Sequence, residues 1–200
     1  MTIAHSLDLT ALIGSRICHD LISPLGAIGN GVELLGMNGA PQGPEMALIS
    51  QSVENANARI RFFRVSFGAE SSDQTLGTTE IASILSDINH EGRLVFDWQP
   101  KIDLPRQQVK LAFLLLQCFE NAMPFGGNVT VCRVGDQWAL TGEAEKLSIN
   151  ADLWELLTNP SAEVALDAAQ VQFALAPITA NSLDRSLIVE SSQTKLRVRF

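Results

Sequence analysis

An apolar repeat at spacings of three and four runs from Leu7 to Met37, stops at Asn38-Gly39-Ala40-Pro41-Gln42-Gly43-Pro44, and resumes from Glu45 to Phe67. At about 100° per residue, the first run gathers Ile13, Ile17, Leu21, Leu25, Ile28, Val32 and Leu35 on one side of a helix, which is read as the core side. The second run gathers Met46, Ile49, Val53, Ala56, Ile60, Phe63 and Phe67. Glycine and proline between them end one helix and let Pro44 open the next. The pattern predicts an antiparallel helical hairpin. One hairpin cannot enclose both stripes, so a second copy is expected to complete a dimeric four-helix bundle.

His19 falls opposite the centre of the first stripe, beside Ser15, Arg16, Ser23, Gly26 and Asn30. A titratable ring is thereby held toward solvent among small neighbours that leave room for an approaching group. Asp20 follows directly, and an adjacent carboxylate keeps an imidazole oriented and more basic than its usual value of about 6.5. Pro24 removes the backbone bond to the carbonyl of residue 20 and bends the helix just past His19, a cost of ~3 kcal/mol that a helix seldom carries without reason.

His-Asp-Leu-x-x-Pro-Leu-x-x-Ile at residues 19–28 resembles the phospho-acceptor box of histidine kinases and of phosphotransferases built like them. The family often carries Arg or Lys where this chain has Ile22. The resemblance implies that His19 is the phospho-acceptor and that Asp20 orients its ring. It also makes Arg16, Ser23, Pro24 and Gly26 supporting or docking residues. Arg16 would steady the phosphohistidine or pair with an acidic partner surface, and Ser23 would sit where a phosphatase orients water.

Two hundred residues, 46% hydrophobic and 18% charged, describe an ordinary globular chain long enough for one sizeable domain or two small ones. A formal charge of −8 argues against nucleic acid and anionic membranes as partners, since both are bound through clustered Lys and Arg. No apolar run approaches the roughly 20 residues that span a bilayer. Met1 to Thr10 lacks the basic start and apolar core of a signal peptide, so a cytoplasmic protein is expected. Cys18, Cys118 and Cys132 share no metal or redox spacing and read as buried reduced thiols. Gly29-Asn30-Gly31 does not fit a dinucleotide fingerprint; close approach of another backbone is the better reason for these glycines.

Residues 69–78, rich in Ser, Gly and Thr, read as a linker between a hairpin at 1–68 and a second domain at 79–200. Helices are expected at Thr79–Asn89, Pro105–Met123, Leu153–Thr158 and Leu166–Ala180. Strands are expected at Arg93–Trp98, Asn128–Val134, Gln137–Thr141, Ser186–Glu190 and Lys195–Phe200. This order gives an α+β chain whose second part is an antiparallel or mixed sheet covered on one face by helices. His90, at a helix end, is given a structural role through the helix dipole.

The element order also resembles the ATP-binding domain that follows the hairpin in histidine kinases, an α/β sandwich. There a long helix carries a magnesium-holding Asn, matched here by Asn121, but the basic residue after it is missing and Pro124 intervenes. The Asp-x-Gly-x-Gly adenine motif aligns with Leu140-Thr141-Gly142-Glu143-Ala144 and keeps one of its three signature positions. No glycine occurs from Glu143 to Phe200, so a lid whose backbone amides cradle phosphates cannot be built. A hairpin with a degenerate kinase domain resembles the bacterial cell-cycle histidine phosphotransferases, the ChpT type.

The resemblance implies a phosphorelay phosphotransferase rather than an ATP-dependent kinase. His19 would take phosphate from one response-regulator receiver and give it to another, with magnesium on the receiver and no cofactor, metal or ATP on this chain. An ATP-dependent sensor kinase, an inert dimeric scaffold and a receiver phosphatase remain as alternatives. His5 and His90 are expected to be dispensable.

Overall fold

The computed structural model describes residues 14, 18, 21–22, 25–37, 43–71, 73–91, 93–159, 161–162 and 164–200. The chain divides into two compact units, Met1–Ala69 and Glu70–Phe200.

In the first unit, helix α1 is described at residues 14, 18 and 21–22 and continuously over 25–37, and α2 spans Pro44–Phe67. Pro44 opens α2 as its first residue, where its missing N–H would have had no partner anyway. The two helices meet through small residues. A β-carbon at Gly14 would lie 3.1 Å from the Phe67 carbonyl oxygen, and one at Gly29 would lie 3.4 Å from Val53 Cγ1. The close backbone approach expected at Gly29 and Gly31 is not found: Gly29 would meet only a side-chain methyl at an ordinary contact distance, and nothing stands within 4 Å of where a β-carbon at Gly31 would be.

The apolar stripe of α1 departs from expectation. Cys18 is buried at 7% exposure, whereas Leu21, Ile28 and Leu35, one heptad apart, are 45%, 49% and 49% exposed. The α2 contact has taken the small-residue side, roughly 70° away, because glycine and cysteine let two backbones come closer than leucines allow. Leu48 and Ile49 of α2 are likewise exposed, while Val53, Ala58, Ile60, Phe62 and Val65 are buried.

The second unit begins with a two-residue strand, β1 (Thr75–Leu76), then α3 (Thr78–Glu91), β2 (Leu94–Trp98), β3 (Leu104–Pro105) and α4 (Arg106–Ala122). There follow β4 (Gly127–Val134), β5 (Gln137–Glu143), α5 (Ala151–Thr158), a 3-10 turn (Ala168–Gln170), α6 (Val171–Ser182), β6 (Ile188–Ser191) and β7 (Lys195–Arg199). The main sheet has the order β2-β4-β5-β7-β6 and is mixed, with β2 parallel to β4 and every other pair antiparallel.

Alternation puts Leu94, Phe96, Val129, Val131, Trp138, Leu140, Leu196 and Val198 on one buried face. Against it lies α4, in which Val109, every residue from Leu111 to Phe119 and Ala122 are buried. A helix so apolar must be covered on more than one side, and α6 also packs against it. Trp138 stacks on Phe200 at 5.5 Å, while Trp98 meets both Trp138 and Phe113.

β1 and β3 pair antiparallel, and neither is visible as a strand in the sequence pattern. Two residues are too few to show alternation, so only the pairing itself reveals them. Together with an Arg106 N–H to Gln74 carbonyl bond of 2.8 Å and a Lys110–Glu70 ion pair of 3.2 Å, they fasten the start of this unit to α4. Asp103 Oδ1 accepts from the Thr78 N–H and hydroxyl, capping α3 from a distant loop. Asn89 closes part of the free edge of β2: its amide accepts from the Phe96 N–H and donates to the Phe96 carbonyl.

The expected helix from Leu166 to Ala180 begins later and in two steps. Asp167 and Gln170 form a reciprocal capping box around the 3-10 turn, and α6 follows from Val171 to Ser182 with Pro177 inside it. The strand expected from Ser186 starts at Ile188, because the chain leaves α6 through Asp184 at φ 54° and an Arg185 N–H to Ala180 carbonyl bond.

Candidate phosphotransfer site

Of the residues singled out in the sequence, Arg16, His19, Asp20, Ser23 and Pro24 lie outside the described residues, while Gly26 lies within them. Gly26 is helical, and nothing stands within 4 Å of where its β-carbon would be. Asn30, one turn further on, is exposed. At Gly26 and Asn30 there is thus room beside α1.

Cys18, immediately before His19, is buried. Burial pushes its thiol up, and the Arg64 guanidinium of α2 opposes that rise. Cys118 lies in the middle of α4, and burial pushes its thiol well up, opposed by a backbone hydrogen bond. All three cysteines are free, but Cys132 is only half-buried and does not meet the expectation of a buried thiol.

Asn121 is exposed on the last turn of α4. Nearby, the packing behind β5 is tight. A β-carbon at Gly142 would come within 2.6 Å of the Phe119 ring and 2.8 Å of Met123 Sδ. The Phe119 ring in turn meets Trp154 edge-on at 6.0 Å, and Trp154 meets Phe173 at 5.5 Å. Gly142, the one surviving position of the adenine motif, is thus small because an aromatic cluster presses on the strand, a reason that motif comparison does not show. His90 is exposed in the last turn of α3. Among the described residues, no group of three His, Cys, Asp or Glu could hold a metal ion, and no helix is long and apolar enough to cross a membrane.

Residues 78–195 match the family of the histidine phosphotransferase C-terminal domain. The chain is also 36% identical over 173 residues to the protein phosphotransferase ChpT of Brucella abortus (strain 2308), covering 84% of this chain and 82% of the relative. The chain belongs to the histidine phosphotransferase family. A solved bacterial phosphotransferase superposes over 100% of this chain and 97% of its own at 31% identity and a TM-score of 0.72. A histidine kinase domain from Erythrobacter litoralis aligns more loosely, at 18% identity and a TM-score of 0.45 over 98% of this chain and 91% of its own. The histidine phosphotransferase match covers the second unit and leaves out the acceptor box. The ChpT relative matches 173 residues, more than the second unit alone contains.

The arginines of α2 carry no motif and drew no attention in the sequence. Arg59, Arg61 and Arg64 are the basic residues described in the first unit. The absence of lysine before residue 70 is the signal that could have singled them out.

Proposed function

We propose that this histidine phosphotransferase works in a two-component phosphorelay: His19 takes a phosphoryl group from the aspartyl phosphate of one response-regulator receiver and passes it to the aspartate of another. The observation that carries this reading is a family match over the second unit in a chain whose first unit holds the His-Asp-Leu-x-x-Pro box. A His19 ring nitrogen attacks phosphorus in line while the receiver's carboxylate departs, and the reverse step delivers the group. Phosphoryl transfer is mostly positioning and charge stabilisation, and the receiver supplies magnesium and a lysine. Asp20 orients the ring, and Arg16, Ser23, Pro24 and Gly26 form the dock.

Residues 1–68 serve as the dimerisation and phosphotransfer hairpin. The exposed Leu21, Ile28 and Leu35 support a dimeric four-helix bundle, because a row of leucine-sized side chains at heptad spacing is the seam a second hairpin covers. Residues 79–200 serve as a degenerate kinase-like domain that takes no ATP. The Phe119, Met123, Trp154 and Phe173 cluster behind Gly142 supports that reading, as does the lack of glycine after it. The protein works in the cytoplasm.

Incubation with phosphorylated receivers tests the proposal. Acid-labile phosphate should appear on the wild-type chain and be absent from His19→Gln, which keeps dimerisation and receiver binding. Phosphate on His19→Gln would end the assignment. Micromolar binding of magnesium and ATP in a calorimetric titration would restore the sensor-kinase alternative.

A further inference from the structure

β2 is an edge strand, paired with β4 on one side only. The Arg93 carbonyl and the Gln99 N–H both bond to the β4 side, so Val95 and Asp97 turn their backbone groups inward as well, and Leu94, Phe96 and Trp98 turn theirs out to the free edge. At the middle of that edge stands Asn89 of α3. Its Oδ1 accepts from the Phe96 N–H at 2.8 Å, and its Nδ2 donates to the Phe96 carbonyl at 3.1 Å. A side-chain amide carries the same donor and acceptor as a peptide group, so Asn89 stands in for one residue of a sixth strand.

The rest of the edge is open. Among the described residues, no hydrogen bond reaches the outward backbone groups of Leu94 and Trp98. A crevice of about 330 Å³ lies between α3 and β2, with Ala82, Ser86 and Asn89 on one wall and Phe96 and Trp98 on the other. Leu94-Val95-Phe96-Asp97-Trp98 carries one charge and neither glycine nor proline, the composition of a segment that pairs with its like. It is also self-complementary. In an antiparallel pair centred on Phe96, Leu94 meets the second copy's Trp98 on the inner face, and Asp97 meets Val95 rather than another Asp97.

We propose that Asn89 is a guard on the β2 edge, and that without its amide a second copy of this chain adds its own β2 there, antiparallel. The contact is autoinhibitory: α3 supplies from within the unit the hydrogen bonds that an incoming strand would make. This pairing is separate from the row of Leu21, Ile28 and Leu35 on α1. A chain that also pairs through that row would grow into an open series rather than stop at a closed dimer.

The test needs neither phosphate nor receiver, so its outcome is independent of the relay reading. In wild type, amide hydrogen exchange corrected for intrinsic rates should be about tenfold slower at Phe96 than at Leu94 and Trp98, the size of one hydrogen bond. Asn89→Ala should erase that difference in dilute solution. As the concentration of this variant rises, Leu94, Phe96 and Trp98 should become protected together while Val95 and Asp97 stay as in wild type. Its mass in light scattering should climb above that of wild type at equal concentration. Val95 is 47% exposed, and adding Val95→Lys to Asn89→Ala puts a charge on the edge strand that should bring the mass back. Asn89→Asp keeps the acceptor for the Phe96 N–H and adds a charge at the edge, so it should associate no more than wild type.

A wild-type Phe96 amide that exchanges as fast as its two edge neighbours would overturn the proposal, and that measurement stands even where Asn89→Ala fails to fold. A folded Asn89→Ala chain whose mass follows wild type at every concentration would overturn it too, as would association that survives Val95→Lys unchanged.

Discussion

Leu111, Leu114 and Leu115 of α4 have no exposed surface, whereas Leu21, Ile28 and Leu35 of α1 stand between 45% and 49% exposed. Both helices carry apolar residues at helical spacing. What differs is the other side of the contact. α4 packs against both the five-stranded sheet and α6, so its apolar residues find partners within its own unit. Among the described residues of its unit, α1 meets α2 through Gly14, Cys18 and Gly29. A helix whose small-residue face is used inside the chain keeps its leucines for something outside it. The second unit is therefore expected to behave as a closed core and the first as half of one.

The sharpest way to break this comparison is to damage the closed core. Phe119 touches the strand at Gly142 and meets Trp154 edge-on, and it has no exposed surface. Phe119→Ala removes a ring from between a sheet and a helix pair that cannot collapse onto the gap, at a cost of about 3–5 kcal/mol. Denaturant unfolding followed by tryptophan fluorescence should show that loss. A cost below about 1 kcal/mol would mean that the cluster is loosely packed.

Against that, Ile28→Ser with Leu35→Ser should leave the second unit's unfolding midpoint unchanged, since these side chains bury little within the protomer. The double variant should instead convert a dimer to a monomer in light scattering at micromolar concentration. A wild-type chain that is already monomeric would remove the four-helix bundle and leave the exposed row of α1 without an explanation.

The same contrast separates what a sequence pattern carries from what it leaves out. The helices and strands of the second unit are legible because long periodic runs such as Arg106–Ala122 and alternating runs such as Gly127–Val134 hold their own signal. β1 and β3 are not, because a two-residue strand exists only through its partner. In the first unit the period of α1 is legible but its direction is not. The wheel says which residues share a face and does not say which face a neighbour takes, and glycine, invisible to an apolar count, decides that. The register between the two helices, Gly14 on Phe67 and Gly29 on Val53, is likewise something no sequence pattern prints.

A smaller effect concerns pH. Burial raises the Cys118 thiol well above its usual range. As pH rises the unfolded chain loses this proton first, so its contribution to stability is complete below the unfolded value near 8.5 and is lost above it, by up to ~1.4 kcal/mol per pH unit. Wild type should therefore lose stability between pH 9 and 10 more steeply than Cys118→Ala. Equal slopes in the two chains would show that the thiol ionises in the folded state as readily as in the unfolded one.

The smallest effect expected is the one that most sharpens the comparison, because it sits where a working kinase domain would be most sensitive. Asn121 is exposed on the last turn of α4, next to a core that Phe119, Met123 and Trp154 have filled. Asn121→Asp changes one amide to a carboxylate of the same shape. If the second unit held magnesium and nucleotide there, the added charge would change metal affinity and phosphotransfer together. On the reading that this unit takes no ATP, the variant should keep relay rates within a few-fold and an unfolding midpoint within the usual range for surface substitutions, about ±0.5 kcal/mol. A loss of transfer as severe as that of His19→Gln would place chemistry at the end of α4. The closed core would then be the active half of the molecule and the open hairpin the passive one.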